Sequence, residues 1–443
     1  MARTRFKHSA VMILAAVLSG CAAYTPLPLS TTAPLAPSLN APEQQHPLTV
    51  GQVVTLALAN NPGLKAVRLQ RDIAAGQTTR AGLLANPSLS GALLPLLSGS
   101  GTVPAWNLGI AQDIKSILTY KSRRRAALDG ERQVDADVVW QEWQVAGQAR
   151  QIATDLIVGA RSRQSYLAAY QLLAERNAKL EKALAARTVT LVAVAPDRVA
   201  LQASRTALDT LDQQQLALMH QLGALLGLTP DVVVPLAAQP DLPPFDPEEV
   251  RGQIATLPDR RPDLAALRMG YAAADEQVRQ AIQSQFPDLI LGGSVSSDNS
   301  RVINGGPGIQ IGLPVFDRGQ GAIAIARATR QQLHAEYDAR LAAAVGTVGA
   351  LLREYEQLST QLAIARRDLP AARLAAERAQ AAFGASSLDE RGYVDLVSNR
   401  FAREQEIMTL ELALLDRQIA IQTLVGAGLP TVAPTSNNEA GGR

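Results

Sequence analysis

A chain of 443 residues that is 47% hydrophobic but only 4% aromatic draws its core chiefly from small aliphatic side chains. That balance favours close-packed helices over a sandwich or an α/β enzyme core. The formal charge of +2 falls to −1 once the first twenty residues are set aside, because Arg3, Arg5 and Lys7 are their only cations and they hold no acid; nothing there calls for nucleic acid. The single cysteine, Cys21, excludes an internal disulfide and a thiolate metal cluster.

Arg3, Arg5 and Lys7 precede the apolar run Val11–Leu18, which is too short to remain as a membrane span, so residues 1–20 read as a secretory signal. The run ends in Leu18-Ser19-Gly20-Cys21. This resembles a bacterial lipoprotein cleavage box, in which small residues admit the peptidase and the Cys21 thiol receives the lipid. Ordinary cleavage beside an incidental cysteine is the weaker reading, since the chain has no other cysteine. Ala22 follows, and no Asp stands there to retain the protein at the inner membrane. Residues 21–47, rich in Pro, Ser and Thr, are expected to form an extended tether.

Beyond the tether the chain repeats itself. Pro62–Leu89 and Pro262–Leu289 align without a gap at an offset of 200: Pro62/Pro262, Leu64/Leu264, Arg68/Arg268, Gln77/Gln277 and Pro87/Pro287 coincide. The spacing is far above a solenoid period and predicts a pseudo-twofold protein: helix, strands, long helix, then all of it again. In the first repeat, residues 48–228, a short helix (Thr49–Asn60) and the repeat helix (Pro62–Ala85) lead to strands at 88–97 and 106–114. The Gly/Ser-rich separator between those strands reads as an exposed hairpin loop. From Lys115 to about Thr190 there is no proline, and the apolar spacing is helical. Such a helix is roughly 100 Å long. A break is expected at Val194–Asp197, with Asp197 serving the next helix N-terminus. The proline-rich segment 229–261 reads as an irregular linker.

The second repeat, residues 262–429, predicts strands at 288–297 and 308–316 around a polar turn. A long helix follows over Gln320–Phe383, kinked at Pro370, then a turn at Gly384–Arg391 and a last helix over Tyr393–Gly426. Residues 430–443 are expected to be disordered. The charge run Lys121-Ser-Arg-Arg-Arg125 is a solvated helix face on the bland reading, and a rim anchor or tunnel-mouth lining on the functional one.

No catalytic, metal or cofactor site emerges. His220 and His334 stand alone on helices, and His8 and His46 fall in the leader and tether. Gly305-Gly-Pro-Gly308 lacks the Gly-Lys-Ser/Thr of a phosphate loop. The pairs Glu248-Glu249 and Asp389-Glu390 sit in irregular or turn segments with nothing to raise a pKa.

Leu313-Pro314-Val-Phe316-Asp317-Arg-Gly319-Gln-Gly321 after an alternating strand resembles the strand-to-helix junction of the TolC family of outer-membrane efflux proteins. Arg261-Pro-Asp-Leu264, its partner Asn61-Pro-Gly-Leu64, and Leu369-Pro-Ala-Ala372 are similar to that family too. Leu83-Leu-Ala-Asn-Pro87 leans toward the branch serving heavy-metal pumps. The resemblance implies a mainly α protomer with a small β part, three copies of which close a twelve-stranded transmembrane barrel above a periplasmic α-barrel. It implies a passive conduit in the outer membrane, lipid-anchored and extending into the periplasm, working with a periplasmic adaptor and an inner-membrane pump. Gly384 and Tyr393-Val-Asp395-Leu-Val-Ser398 stand where the family carries its tunnel-constricting tip, so Asp395 matches an aspartate of the gate. Asp197, Asp389, Arg391 and Arg400 are the other tip candidates, the two arginines as partners of Asp395. A structural coiled-coil lipoprotein, or an adaptor without channel activity, is the competing reading.

Overall fold

A computed structural model describes residues 24–39 and 46–430; the leader, Cys21 and the tail from residue 431 lie outside the described residues. The chain divides into residues 1–36 and 37–443. The described part of the first unit, residues 24–36, has no helix and is exposed throughout, as its prolines and polar side chains dictate.

The second unit begins earlier than the expected end of the tether, because Leu39 is already packed into the core. Leu48 bridges Leu236 in parallel, with Leu48 N–H donating to the Pro235 carbonyl at 2.8 Å. Helix α1 (Val50–Asn60) starts at a capping box: Thr49 accepts from Gln52 N–H while the Gln52 side chain accepts from Thr49 N–H. Val50, Val53 and Ala57 form its buried stripe. The first repeat helix is two pieces, α2 (Pro62–Arg68) and α3 (Gln70–Ala81), parted at Leu69. Asn61 caps α2 by accepting from Leu64 N–H at 2.8 Å and ties it to the Leu225 carbonyl through its amide at 3.0 Å.

Strands β1 (Ser88–Leu94) and β2 (Ala105–Asp113) lead through the single-turn α4 (Lys115–Leu118) into α5 (Tyr120–Ala185), 66 residues and about 100 Å long. Helix α6 (Leu191–Leu225) runs back along it. The linker is more ordered than its prolines suggest: α7 (Pro247–Gln253), a 3₁₀ turn (Ile254–Thr256) and α8 (Leu257–Arg260) occupy it. Pro247 and Pro258 both sit in first turns, where a missing N–H costs nothing. Val250 and Leu257 pack there against Val348, Leu352, Ile421 and Val425.

Helix α9 (Pro262–Gln283), β3 (Leu289–Ser297), β4 (Ile303–Ile311), α10 (Gln320–Gly384) and α11 (Glu390–Val425) complete the second repeat. The Arg261-Pro-Asp-Leu264 motif has a physical role. Arg261 and Asp263 form a buried two-bond pair (3.0 and 2.7 Å), and the guanidinium lies 4.9 Å from the Trp140 ring centre on α5. Leu264 is fully buried beneath them. At the far end, Gly426 closes α11 with φ +76, and a Cβ there would collide with the Trp143 ring. Arg150 donates to the Ala427 and Gly428 carbonyls and so caps the same helix end.

Two boundaries differ from expectation for instructive reasons. The fourth strand lies at 303–311 and not at 308–316. Asn304-Gly-Gly-Pro-Gly308 looks like a turn by composition, yet it pairs in register with Gly292–Ser296. Within the chain Pro307 is accommodated because β4 has a partner strand on one side only. The first helical break lies at Ala186–Thr190, not at Val194–Asp197, and Pro196 is carried inside α6. Pro370 is likewise carried inside α10.

Candidate functional site: a bare sheet and a helical tip

The sheet has the order β1-β2-β3-β4, antiparallel throughout, so the central β2–β3 pair joins the two repeats. Its register sorts the side chains by face. Leu89, Leu93, Trp106, Leu108, Ile110, Leu291, Val295, Ile303, Ile309 and Ile311 fall on one side. Ser88, Ser90, Asn107, Gly109, Ser294, Ser296, Asn304, Gly306 and Gln310 fall on the other. No charged residue occurs in 89–112, and only Asp298 and Arg301 occur in 289–311, both in the β3–β4 turn. The apolar side chains are bare: Leu89 is 74% exposed, Ile309 68% and Ile303 67%. An apolar face this wide is not left to water. Both outer strands, β1 and β4, also present unpaired backbone edges.

The strand-to-helix junction places the motif residues in one tight turn. Gly319 adopts φ +75 as the N-cap of α10, a conformation costly for any side chain. Asp317 accepts from Gly319 N–H at 2.8 Å, and Gln320 accepts from Arg318 N–H at 2.8 Å. Pro314 and Phe316 precede that turn, and Gly321 lies in the first turn of α10. At the opposite ends of the strands, Thr102 N–H donates to the Asn299 carbonyl and the Asn299 amide to the Val103 carbonyl, so the two hairpin loops meet.

The long helices α5 and α10 have 66 and 65 residues and end in matching turns. Thr188 N–H donates to the Ala183 carbonyl, and Ser387 N–H to the Ala382 carbonyl. Arg187 (φ 61) and Ser386 (φ 57) hold the left-handed position of each. Glycine usually marks that position, and its absence hides the first turn from a sequence reading.

Asp389 caps α11, its Oδ1 accepting from Gly392 N–H at 2.9 Å. Arg391 approaches Asp395 at 3.9 Å, with Asp395 66% exposed. Arg400 lies over the Phe401 ring (4.3 Å) and is not brought to Asp395 among the described contacts. Asp197 sits inside α6, past its first turn, and pairs with a residue that sequence reasoning missed. Arg176 of α5, only 6% exposed, reaches Asp197 at 2.6 Å and Asp395 at 4.0 Å. Its Nη1 also donates to the Glu390 and Arg391 carbonyls at 3.4 and 3.1 Å. One cation thus joins the first-repeat helices to the start of α11. Nearby, Phe383 and Tyr393 stack at 4.9 Å, and Lys179 pairs with Glu390 at 2.8 Å.

Higher up, Asp155 of α5 and Asp416 of α11 face each other, half-buried. Burial, and then Asp416, push the Asp155 carboxyl up to about 7. Burial raises Asp416 as well, against the Asp155 hydrogen bond and Arg417. The pair shares one proton near neutrality.

The arrangement can seal a sheet into lipid and fasten helix ends with a charge cluster. The family model for outer membrane efflux proteins matches residues 254–427. The cation efflux system protein CusC of Escherichia coli K12 is 25% identical over 179 residues, 38% of this chain and 39% of that protein. The pyoverdine export outer membrane protein OpmQ of Pseudomonas putida is 27% identical over 256 residues, 56% of this chain and 54% of that one. The matched stretches therefore span less than two thirds of either relative. In three dimensions the fold is similar to crystal structures of CusC (TM-score 0.66, 18% identity, 85% of this chain and 92% of that one) and of VceC from Vibrio cholerae (0.69, 18%, 85% and 96%). It is also similar to the outer-membrane channel OprN (0.68, 18%, 91% and 98%). With the junction motif, the duplicated halves and the four-stranded sheet in place, the chain is similar to outer membrane efflux proteins over residues 254–427 and has the fold of these solved channels.

Proposed function

We propose that three copies of this chain close one twelve-stranded barrel in the outer membrane, continued by their long helices as a periplasmic tunnel. The assembly is a passive conduit of a tripartite efflux pump. The single observation that carries this reading is the sheet: an uncharged, bare apolar face with two unpaired edges. Backbone groups facing hydrocarbon must all be bonded, so such a sheet is tolerated in lipid only when copies close it. The cargo is a small molecule or metal ion handed over by an inner-membrane pump through an adaptor that meets the tip turns. Lipid on Cys21 adds a second hold on the membrane. A coiled-coil lipoprotein or an adaptor needs helices but has no use for hairpins at matching places in both repeats.

Edge-to-edge crosslinking tests the closure. In a Cys21→Ser background with an ordinary signal, paired cysteines are placed on β1 (Ser90, Gly91 or Ala92) and β4 (Gly306, Pro307 or Gly308). Oxidation should give a ladder ending at three chains. A product confined to one chain, or one without a limit of three, would refute the closed trimer.

A further inference from the structure

The strand-to-helix junction gathers charge that neither the barrel nor the tip uses. Four segments meet there. Arg123 donates to the Ala81 and Leu83 carbonyls, Ser122 to the Gln283 side chain, and Lys115 pairs with Asp288 at 2.7 Å. Gly319 packs beside Ser284 and Gln285. Residues 80–88, 113–125, 281–288 and 312–320 together hold seven cations and three carboxylates, a net of +4. Residues 21–443 sum to −1, so the rest of the mature chain carries −5. The imbalance is therefore local.

Lys121, Arg124 and Arg318 are exposed there, and their side chains have no carboxylate partner among the described contacts. Apolar side chains are bare at the same level: Phe316 is 95% exposed, and Leu313, Val315, Phe286 and Leu84 are also open. A water-filled tunnel mouth gives no reason to expose phenylalanine and leucine. A bilayer gives both groups a place, with rings in the acyl chains and cations among the phosphates. The collar also begins where the uncharged strands end, with strands of 7 to 9 residues between it and the hairpin loops.

We propose that this basic and apolar collar binds the phosphate groups of anionic phospholipids in the periplasm-facing leaflet. The inference rests on the outer-membrane reading above. A Lys or Arg at an anionic surface strengthens association roughly fivefold, so three per chain act as a strong selector.

The test compares the purified protein in nanodiscs of phosphatidylcholine alone and of phosphatidylcholine with a quarter phosphatidylglycerol, reading retained lipid by native mass spectrometry. The parent should retain phosphatidylglycerol in excess of its share. Lys121→Gln/Arg124→Gln/Arg318→Gln should lose that preference by at least tenfold, while Lys121→Arg/Arg124→Lys/Arg318→Lys keeps it. Free inorganic phosphate should not compete. Unchanged preference in the Gln variant would overturn the collar, as would equal loss from Arg187→Gln at the tip. A change in ion selectivity with lipid preference intact would assign these cations to the tunnel mouth instead. In each of those outcomes the protein still inserts and conducts. A parent that fails to insert at all would instead refute the membrane reading on which the collar rests.

Discussion

Arg176 is the residue on which the tip turns. It is nearly buried and touches Asp197 on one helix and Asp395 with two backbone carbonyls on another. Removing one partner of such a cluster is costly because the others are left unpaired. Arg176→Met should therefore loosen α11 from α5 and raise basal conductance at least several-fold, with Arg176→Lys intermediate. Asp395→Ala should lower cation selectivity, since in the proposed trimer three exposed Asp395 carboxylates would surround the axis and attract cations. The aspartates stood out in the sequence as tip candidates, with Asp197 expected at a helix start and found inside α6; Arg176 did not, because a lone arginine within a 66-residue helix carries no local signal. The Asp155–Asp416 pair was equally invisible, its members lying 261 positions apart. Its proton is held to about pH 7, against 3.8 for a solvated aspartate. Between those values the folded chain binds more protons than the unfolded one, so the pair's contribution to stability falls as pH rises from about 4 to about 7. Asp155 also lines a cavity of about 490 Å³, which gives the pair a route to solvent. Asp416→Asn should stabilise the fold by about 1 kcal/mol at about pH 8, read as a higher unfolding temperature, and change it little at about pH 5.

At the scale of elements, helices were read from the sequence more accurately than their ends. Capping by Thr49, Asn61 and Asp389 is local chemistry and sets three helix starts. The first tip escapes because its turn puts Arg187 where glycine would have signalled a stop, whereas the second, expected at Gly384–Arg391, lies between Gly384 and Glu390. The fourth strand escapes because three glycines and a proline pair only in the context of β3. The register now makes a sharp expectation. Single cysteines at Gly99 or Ser300, in the hairpin loops, should react with impermeant thiol reagents on intact cells. Cysteines at Thr188 or Ser387, in the tip turns, should not. The opposite pattern would invert the topology. At the junction, Gly319→Ala places a side chain at φ +75 and should cost about 1 kcal/mol, read as a lower dissociation temperature.

On the scale of the whole molecule, the duplication explains the design. Each repeat supplies one hairpin and one long helix, and the near-equal lengths of α5 and α10 bring both tips to the same depth. No described helix is long and apolar enough to cross a membrane, so the membrane reading rests entirely on the sheet. One chain gives that sheet an apolar face and two open edges but no closed wall. Single-channel recording in a planar bilayer tests this most directly, with the purified assembly first shown to migrate differently on a gel before and after heating. A closed channel should give discrete, cation-selective conductance steps, small in the parent and larger in Arg176→Met. A heat-modifiable assembly that inserts into the bilayer and passes no current in either form would contradict it.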